Sequence, residues 1–266
     1  MNTCIFHSVN SGLYFWDGLA GLLLDGIHAG GEQGFSPMPA FLAGQLARRA
    51  GLFAHTDGVL FTHLHGDHFL RAGLRYLLDT PPRPSVYGPE LPETRASIRP
   101  IRPGLCRVQL AGAYILAKDT VHDGEVFRNE PHQSYLIRMG GETFFIAGDA
   151  ALTPEDAAAF SGFYGGEVDA GFFNLYQLSS PQGRDFLRIL RPRRIFLEHL
   201  PFQKDDRFHY RSLARQAARS LPGDLPRAEI LPHMSWIDGK AAQWDPHEKG
   251  EMTDDLSGIP VQGSLL

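Results

Sequence analysis

The chain has 266 residues, 43% of them hydrophobic, with two cysteines and a formal net charge of −5. That length and apolar content support one large α/β domain or two small ones and exclude wholesale disorder. The acidic balance argues against a protein whose main business is coating nucleic acid, while leaving room for a local basic patch. Cys4 and Cys106 are too few and too far apart for a disulfide framework or a cysteine metal site. No stretch reaches the roughly 18 apolar residues of a membrane span, so a soluble cytoplasmic protein is expected.

In chain order, the first segments read as strands at 3–8, 12–16 and 21–24, parted by Asn10-Ser11-Gly12 and Asp17-Gly18 turn signals and ending on Asp25-Gly26. A glycine-rich stretch at 29–34 leads to Ser36-Pro37, where a serine cap and a first-turn proline predict a helix running to Ala50. The apolar run Gly58-Val59-Leu60-Phe61 predicts a strand, and Thr62-His63-Leu64-His65-Gly66-Asp67-His68 follows it directly. Alternation puts His63 and His65 on one side if the strand continues through them. Phe69, Leu70, Leu74, Leu77 and Leu78 then begin a helical apolar stripe, so the polar cluster is placed at a strand-to-helix turn.

Further strands are expected at 84–88 and 107–116, and at 134–139 with 143–147 as a hairpin around Gly140-Gly141. Helix starts recur at Thr153-Pro154 and Ser180-Pro181. Short apolar strands at 171–174 and 194–199, a helix over about 206–221 and a last strand at 228–231 complete the pattern. No repeat or linker divides the chain, so residues 1–239 are expected to form a single domain and 240–266 a polar tail.

The chemistry concentrates at residues 62–68, where His63, His65, Asp67 and His68 crowd together. Imidazole and carboxylate are ligands for zinc, manganese or iron. Burying such a set without a cation would cost several kcal/mol, which points to a metal site. Partners are sought at strand ends. Asp149 leaves the run Phe144-Phe145-Ile146-Ala147-Gly148, His199 ends the strand that begins at Arg194, and His122 stands in Asp119-Thr120-Val121-His122-Asp123-Gly124.

The order Asp25, His63-x-His65-x-Asp67-His68, His122, Asp149, His199 resembles the metallo-β-lactamase fold superfamily of metallohydrolases over roughly residues 3–235. The resemblance implies an αββα sandwich, two mixed β-sheets flanked by helices, with a dinuclear site along one edge. It also implies a division of labour: His63, His65 and His122 on one divalent cation, Asp67, His68 and His199 on the other, Asp149 bridging them, and Asp25 orienting the ligand loop from behind. His132, in Glu130-Pro131-His132-Gln133, is the alternative to His122, which is preferred. The cations are expected to be zinc, with manganese or iron as alternatives. A hydroxide shared between them would be the nucleophile, with Asp67 and Asp149 as the carboxylates at the reacting centre.

Fold and ligands do not select the reaction. The expected function is hydrolysis of a small ester or phosphodiester; the alternatives are a non-haem iron oxidoreductase and a nuclease-type phosphodiesterase. Candidate pocket residues on loops after strands are His28, His132, Asn174 and Tyr176, with Phe202 and Asp206 after His199. Arg207, Arg211, Arg215 and Arg219 recur at helical spacing after Arg184, Arg188, Arg191, Arg193 and Arg194. They could dock an anionic small-molecule substrate or nucleic acid, although a solvated helix face with acids nearby is the simpler account.

Overall fold

A computed structural model describes residues 3–31 and 34–238; the expected polar tail at 240–266 lies outside them. The chain opens with β1 (Cys4–His7), β2 (Leu13–Trp16) and β3 (Gly21–Leu24), then α1 (Ala40–Ala47), β4 (Thr56–Leu60), α2 (Arg71–Asp79) and β5 (Ser85–Tyr87). It continues through β6 (Ser97–Arg102), β7 (Leu105–Leu110), β8 (Ala113–Asp119), β9 (Gln133–Met139), β10 (Glu142–Ile146), α3 (Pro154–Tyr164) and β11 (Val168–Phe173). Then come α4 (Leu175–Ser179), α5 (Pro181–Leu190), β12 (Pro192–Leu197), α6 (Tyr210–Arg219), β13 (Ala228–Ile230) and β14 (Ser235–Asp238).

Two sheets result, ordered β14-β1-β2-β3-β4-β5 and β13-β12-β11-β10-β9-β8-β7-β6. Both are mixed: β14 to β3 and β6 to β10 run antiparallel, while β3-β4-β5 and β10-β11-β12-β13 pair in parallel. Pleating decides the layers. Leu13, Phe15, Leu22 and Leu24 face Ile115, Ile137, Phe144 and Phe172 between the sheets. Tyr14, Leu23 and Val59 turn outward onto Leu42 and Leu46 of α1 and Leu74, Leu77 and Leu78 of α2. On the far side Phe145, Phe173 and Ile195 pack against Phe160 of α3, Phe186 of α5 and Ala214 of α6. Strands buried on both faces read as continuous apolar runs, and each buried Leu or Phe contributes about 1.5–3 kcal/mol of transfer free energy.

Several local expectations are corrected. The segment expected as one strand at 107–116 is a hairpin, because Ala111 (φ 48°) and Gly112 (φ 74°) turn the chain between β7 and β8, the two positive φ values that a two-residue type I′ connection demands. The helix expected from Ser36 begins only after Pro39. Ser36 instead donates its hydroxyl to Asp205 Oδ2 (2.7 Å) and accepts from the Phe202 amide (2.8 Å). β4 stops at Leu60, so His63 and His65 lie on a loop rather than on a strand, and α2 starts at Arg71. β6 and β14 were not foreseen. The hairpin around Gly140-Gly141 and the cap at Thr153 stand as expected: Glu142 pairs with Met139, and Thr153 and Asp156 cap α3 reciprocally.

Candidate metal centre

The loops leaving β4, β8, β10 and β12 converge at one edge of the sandwich. The first is fixed from behind by Asp25, wholly buried at the end of β3 with φ 46°. Its carboxylate accepts from the Thr62 amide (2.8 Å), the Thr62 hydroxyl (2.6 Å) and His68 Nδ1 (2.9 Å). That last bond leaves His68 Nε2 to face forward. The amides of His68 and Phe69 both donate to the His65 carbonyl, closing the turn that carries Asp67.

Two groups of ligand-type atoms result, each within 4.8 Å of one another: His63, His65 and His122, and Asp67, His68, Asp149 and His199. In the second group His68 Nε2 faces His199 Nε2 at 3.1 Å and His199 Nε2 lies 3.2 Å from Asp67 Oδ2. Asp149 Oδ2 stands between the groups, 3.5 Å from His68, 3.7 Å from His199, 3.9 Å from His63 and 4.0 Å from His122. His122 and Asp149 are brought to this distance by a backbone bridge between His122 and Ala150 and by the Asp123 amide donating to the Asp149 carbonyl at 2.7 Å.

His132 is engaged elsewhere. Its Nε2 accepts from the Asp149 amide at 2.9 Å and its Nδ1 meets the Thr120 hydroxyl at 2.8 Å, so it braces the loop while His122 joins His63 and His65. Burial lowers the His132 pKa to about 3, against the attraction of Asp149, which keeps the ring neutral and Nε2 free to accept. Gly148 is required beside it. Its φ is +57°, and a Cβ there would sit 2.7 Å from His132 Nε2 and 2.8 Å from Thr62 Cβ.

Of the other candidate pocket residues, Asn174 lends Nδ2 to Asp149 Oδ1 (3.3 Å) while its Oδ1 caps α4. His28 is 3% exposed; burial, then the His68 charge, lowers its pKa to about 4. Tyr176 lies at the rim, 48% exposed. Phe202 packs edge-on against His233, and Asp206 caps α6 through the Tyr210 and Arg211 amides, so neither is committed to the centre. Of the arginines named from sequence, Arg188, Arg193 and Arg194 are paired with Asp185 and Asp224, Glu167, and Glu229.

Three neighbours carried no readable signal. Gln177 clamps the Asp149 loop by donating to the carbonyls of Gly148 (2.8 Å) and Ala150 (3.0 Å). Phe35 lies tilted against His199 with centroids 4.1 Å apart, and Phe127 lies edge-on to His65 at 5.0 Å.

The electrostatics of the two carboxylates and of His63 suit a cation. Burial acts to raise the Asp149 pKa, but the imidazoles of His199, His68 and His63 hold it well below the carboxylate range. Burial likewise opposes ionisation of Asp67, and His68 with the His199 hydrogen bond brings it down to about 2. His63 is driven well below its ordinary value by burial and then by His68. Ionised carboxylates and a neutral imidazole are the forms that ligate. Among the described residues the buried Nε2 atoms of His63 and His122 have no hydrogen-bond partner, an arrangement costly without a cation. The donors are all nitrogen and oxygen, as zinc, manganese and iron accept.

No protein-family profile and no curated protein matches the chain. Solved structures do. The metallo-β-lactamase fold protein YhfI from Bacillus subtilis superposes with a TM-score of 0.61 at 14% identity, covering 90% of this chain and 100% of YhfI. A possible metal-dependent hydrolase from Veillonella parvula gives 0.62 at 12% identity, covering 89% and 99%. CmlA, a diiron β-hydroxylase from Streptomyces venezuelae, gives 0.58 at 14%, covering 89% of this chain and 54% of CmlA; the chain thus spans about half of CmlA's length. Identities this low speak to architecture: the chain has the metallo-β-lactamase fold, two mixed sheets flanked by helices. Among the described residues no helix is long and apolar enough to cross a membrane.

Proposed function

We propose that the chain is a metal-dependent hydrolase of a small ester or phosphodiester, with His63, His65 and His122 holding one divalent cation, Asp67, His68 and His199 a second, and Asp149 shared between them. The observation that carries this reading is the single oxygen, Asp149 Oδ2, within 4.0 Å of imidazoles from both groups. Cations bound there supply Lewis acidity and lower the pKa of water to make a nucleophile at neutral pH. The protein's part is positional. Asp25 fixes the His68 ring through Nδ1, Asn174 holds the second oxygen of Asp149, and Gln177 and His132 restrain the Asp149 loop. Such outer partners set ligand orientation and basicity.

Metal identity and substrate are tested together. Elemental analysis of the freshly purified chain, combined with chromogenic carboxylic esters and a phosphodiester, is expected to give about two equivalents of zinc or manganese and turnover of one substrate class. Redox-active iron, one or two equivalents, with oxygen uptake and no ester turnover would overturn the proposal in favour of an oxidoreductase; the neighbour CmlA is a diiron β-hydroxylase.

A further inference from the structure

The eight-stranded sheet is covered by helices over β9–β13, but its outer face at β6–β9 carries an open groove of about 540 Å³, walled on one side by the end of α3. In-register pairing sets the side chains on that face. Arg99 of β6 lies opposite Arg107 of β7, and Tyr114 of β8 opposite Arg138 of β9. Like charges directly opposite on a sheet repel, yet among the described residues no acid lines the groove. Among the described residues Arg99, Arg107 and Arg138 have no carboxylate partner, in contrast to the paired arginines of α5 and β12. In a chain of net charge −5 this is a local basic stripe, made of other residues than the arginines that the sequence suggested.

Flat surfaces accompany the charges. Tyr114 is 65% exposed and Phe163 40% exposed, and the Arg102 guanidinium lies 5.2 Å over the Phe163 ring. From β6 to β9 the stripe crosses three strand spacings, roughly 14 Å at the usual separation, wider than the adjacent phosphates of one nucleotide. We propose that this face is a docking site for single-stranded nucleic acid, separate from the metal edge: Arg99, Arg107 and Arg138 neutralise successive phosphates, and a base stacks on Tyr114, beside the Arg102–Phe163 pair. An exposed sheet face with aromatics and arginines suits splayed bases, whereas an acidic peptide would leave the rings unused.

The test is fluorescence anisotropy of the full chain with labelled oligouridine and oligothymidine of roughly 12 nucleotides, within the usual site sizes of such platforms. The same-length duplex and polyglutamate are the competitors. Binding is expected to be tighter than about 10⁻⁴ M and to weaken as salt rises from about 50 to 200 mM. The exposed double variant Arg99→Gln/Arg107→Gln should weaken it at least ~10-fold and reduce the salt slope by about 1.4, at roughly 0.7 per phosphate. Tyr114→Ala should weaken it on the order of tenfold, by loss of one stacked base, with the slope unchanged. A thermal melt verifies folding of each variant. Failure to bind, equal affinity for duplex, stronger competition by polyglutamate, or loss of binding in Arg215→Gln/Arg219→Gln rather than in the groove variants would each overturn it.

Discussion

In the group of His63, His65 and His122, two buried Nε2 atoms have no hydrogen-bond partner among the described residues. In the group of Asp67, His68, Asp149 and His199, the imidazoles face carboxylates and one another at 3.1–3.9 Å. Burial lowers the pKa of His63 and His65, whereas Asp149 and its companion acids overcome burial to raise those of His68 and His199. The same residue types are thus held in two ways: His63 and His65 as neutral donors, the other half as a charge-paired network. The first half depends more on a cation to satisfy its buried nitrogens, and the second is set in place by its own electrostatics.

The sharpest attack on that contrast is Asp149→Ala, which removes the oxygen common to both halves. Metal is expected to leave both groups and ester turnover to fall by more than the ~10–100-fold typical of outer positions. Retention of a full complement of metal by elemental analysis would show the halves to be independent. Asp25→Asn keeps the shape but withdraws the charge behind His68; a ~10–100-fold loss of metal affinity is expected, read by chelator competition, with the far-UV circular dichroism unchanged.

A finer comparison sets His122→Ala against His132→Ala. The first should release metal at little cost in apoprotein stability. The second should keep metal stoichiometry while lowering stability by about 1–3 kcal/mol, because the Asp149 amide and Thr120 lose their partner. Equal metal content in the two variants, measured beside urea midpoints, would dissolve the distinction between ligand and brace.

The smallest effect concerns the support of the His199 loop. His7 Nε2 and the His199 amide meet the same Asn10 carbonyl, and His233 Nε2 meets that of Leu200. Burial lowers the pKa of both supporting rings, that of His233 to about 3 from the ordinary 6.5. A folded value below the unfolded one means that the unfolded chain binds more protons as pH falls below about 6.5, so this stability is present above 6.5 and lost toward 3. Between pH 7 and 5 the urea midpoint of His233→Gln should therefore drop less than that of the parent chain.

Much of the cluster was legible because the side chains that meet there are polar residues placed directly after apolar strands: Asp149 after Phe144 to Gly148, His199 after β12, His63 to His68 after β4. What was hidden depends on contacts remote in sequence. Ser36 carries every local mark of a helix cap, but its hydroxyl serves Asp205 and Phe202 across the fold. Ala111-Gly112 continues the apolar character of its flanks, so only its φ values disclose the turn. β6 has Pro100, exposed arginines and almost no buried side chain, as edge strands often do, and period-two patterning cannot find it. His122 and His132 are alike as residues and share the connection between β8 and β9; what separates them is which atoms meet Asp149, a matter of three-dimensional register.

Gly148 has a consequence for how such a site will look in a saturation-mutagenesis library. It supplies no donor atom to the cluster, yet any side chain there must displace His132 or Thr62 and adopt a backbone geometry that L-residues resist. Its tolerance profile should therefore be as narrow as that of Asp149 beside it. A functional map drawn from fitness alone would score a hinge of the scaffold as though it were part of the chemistry.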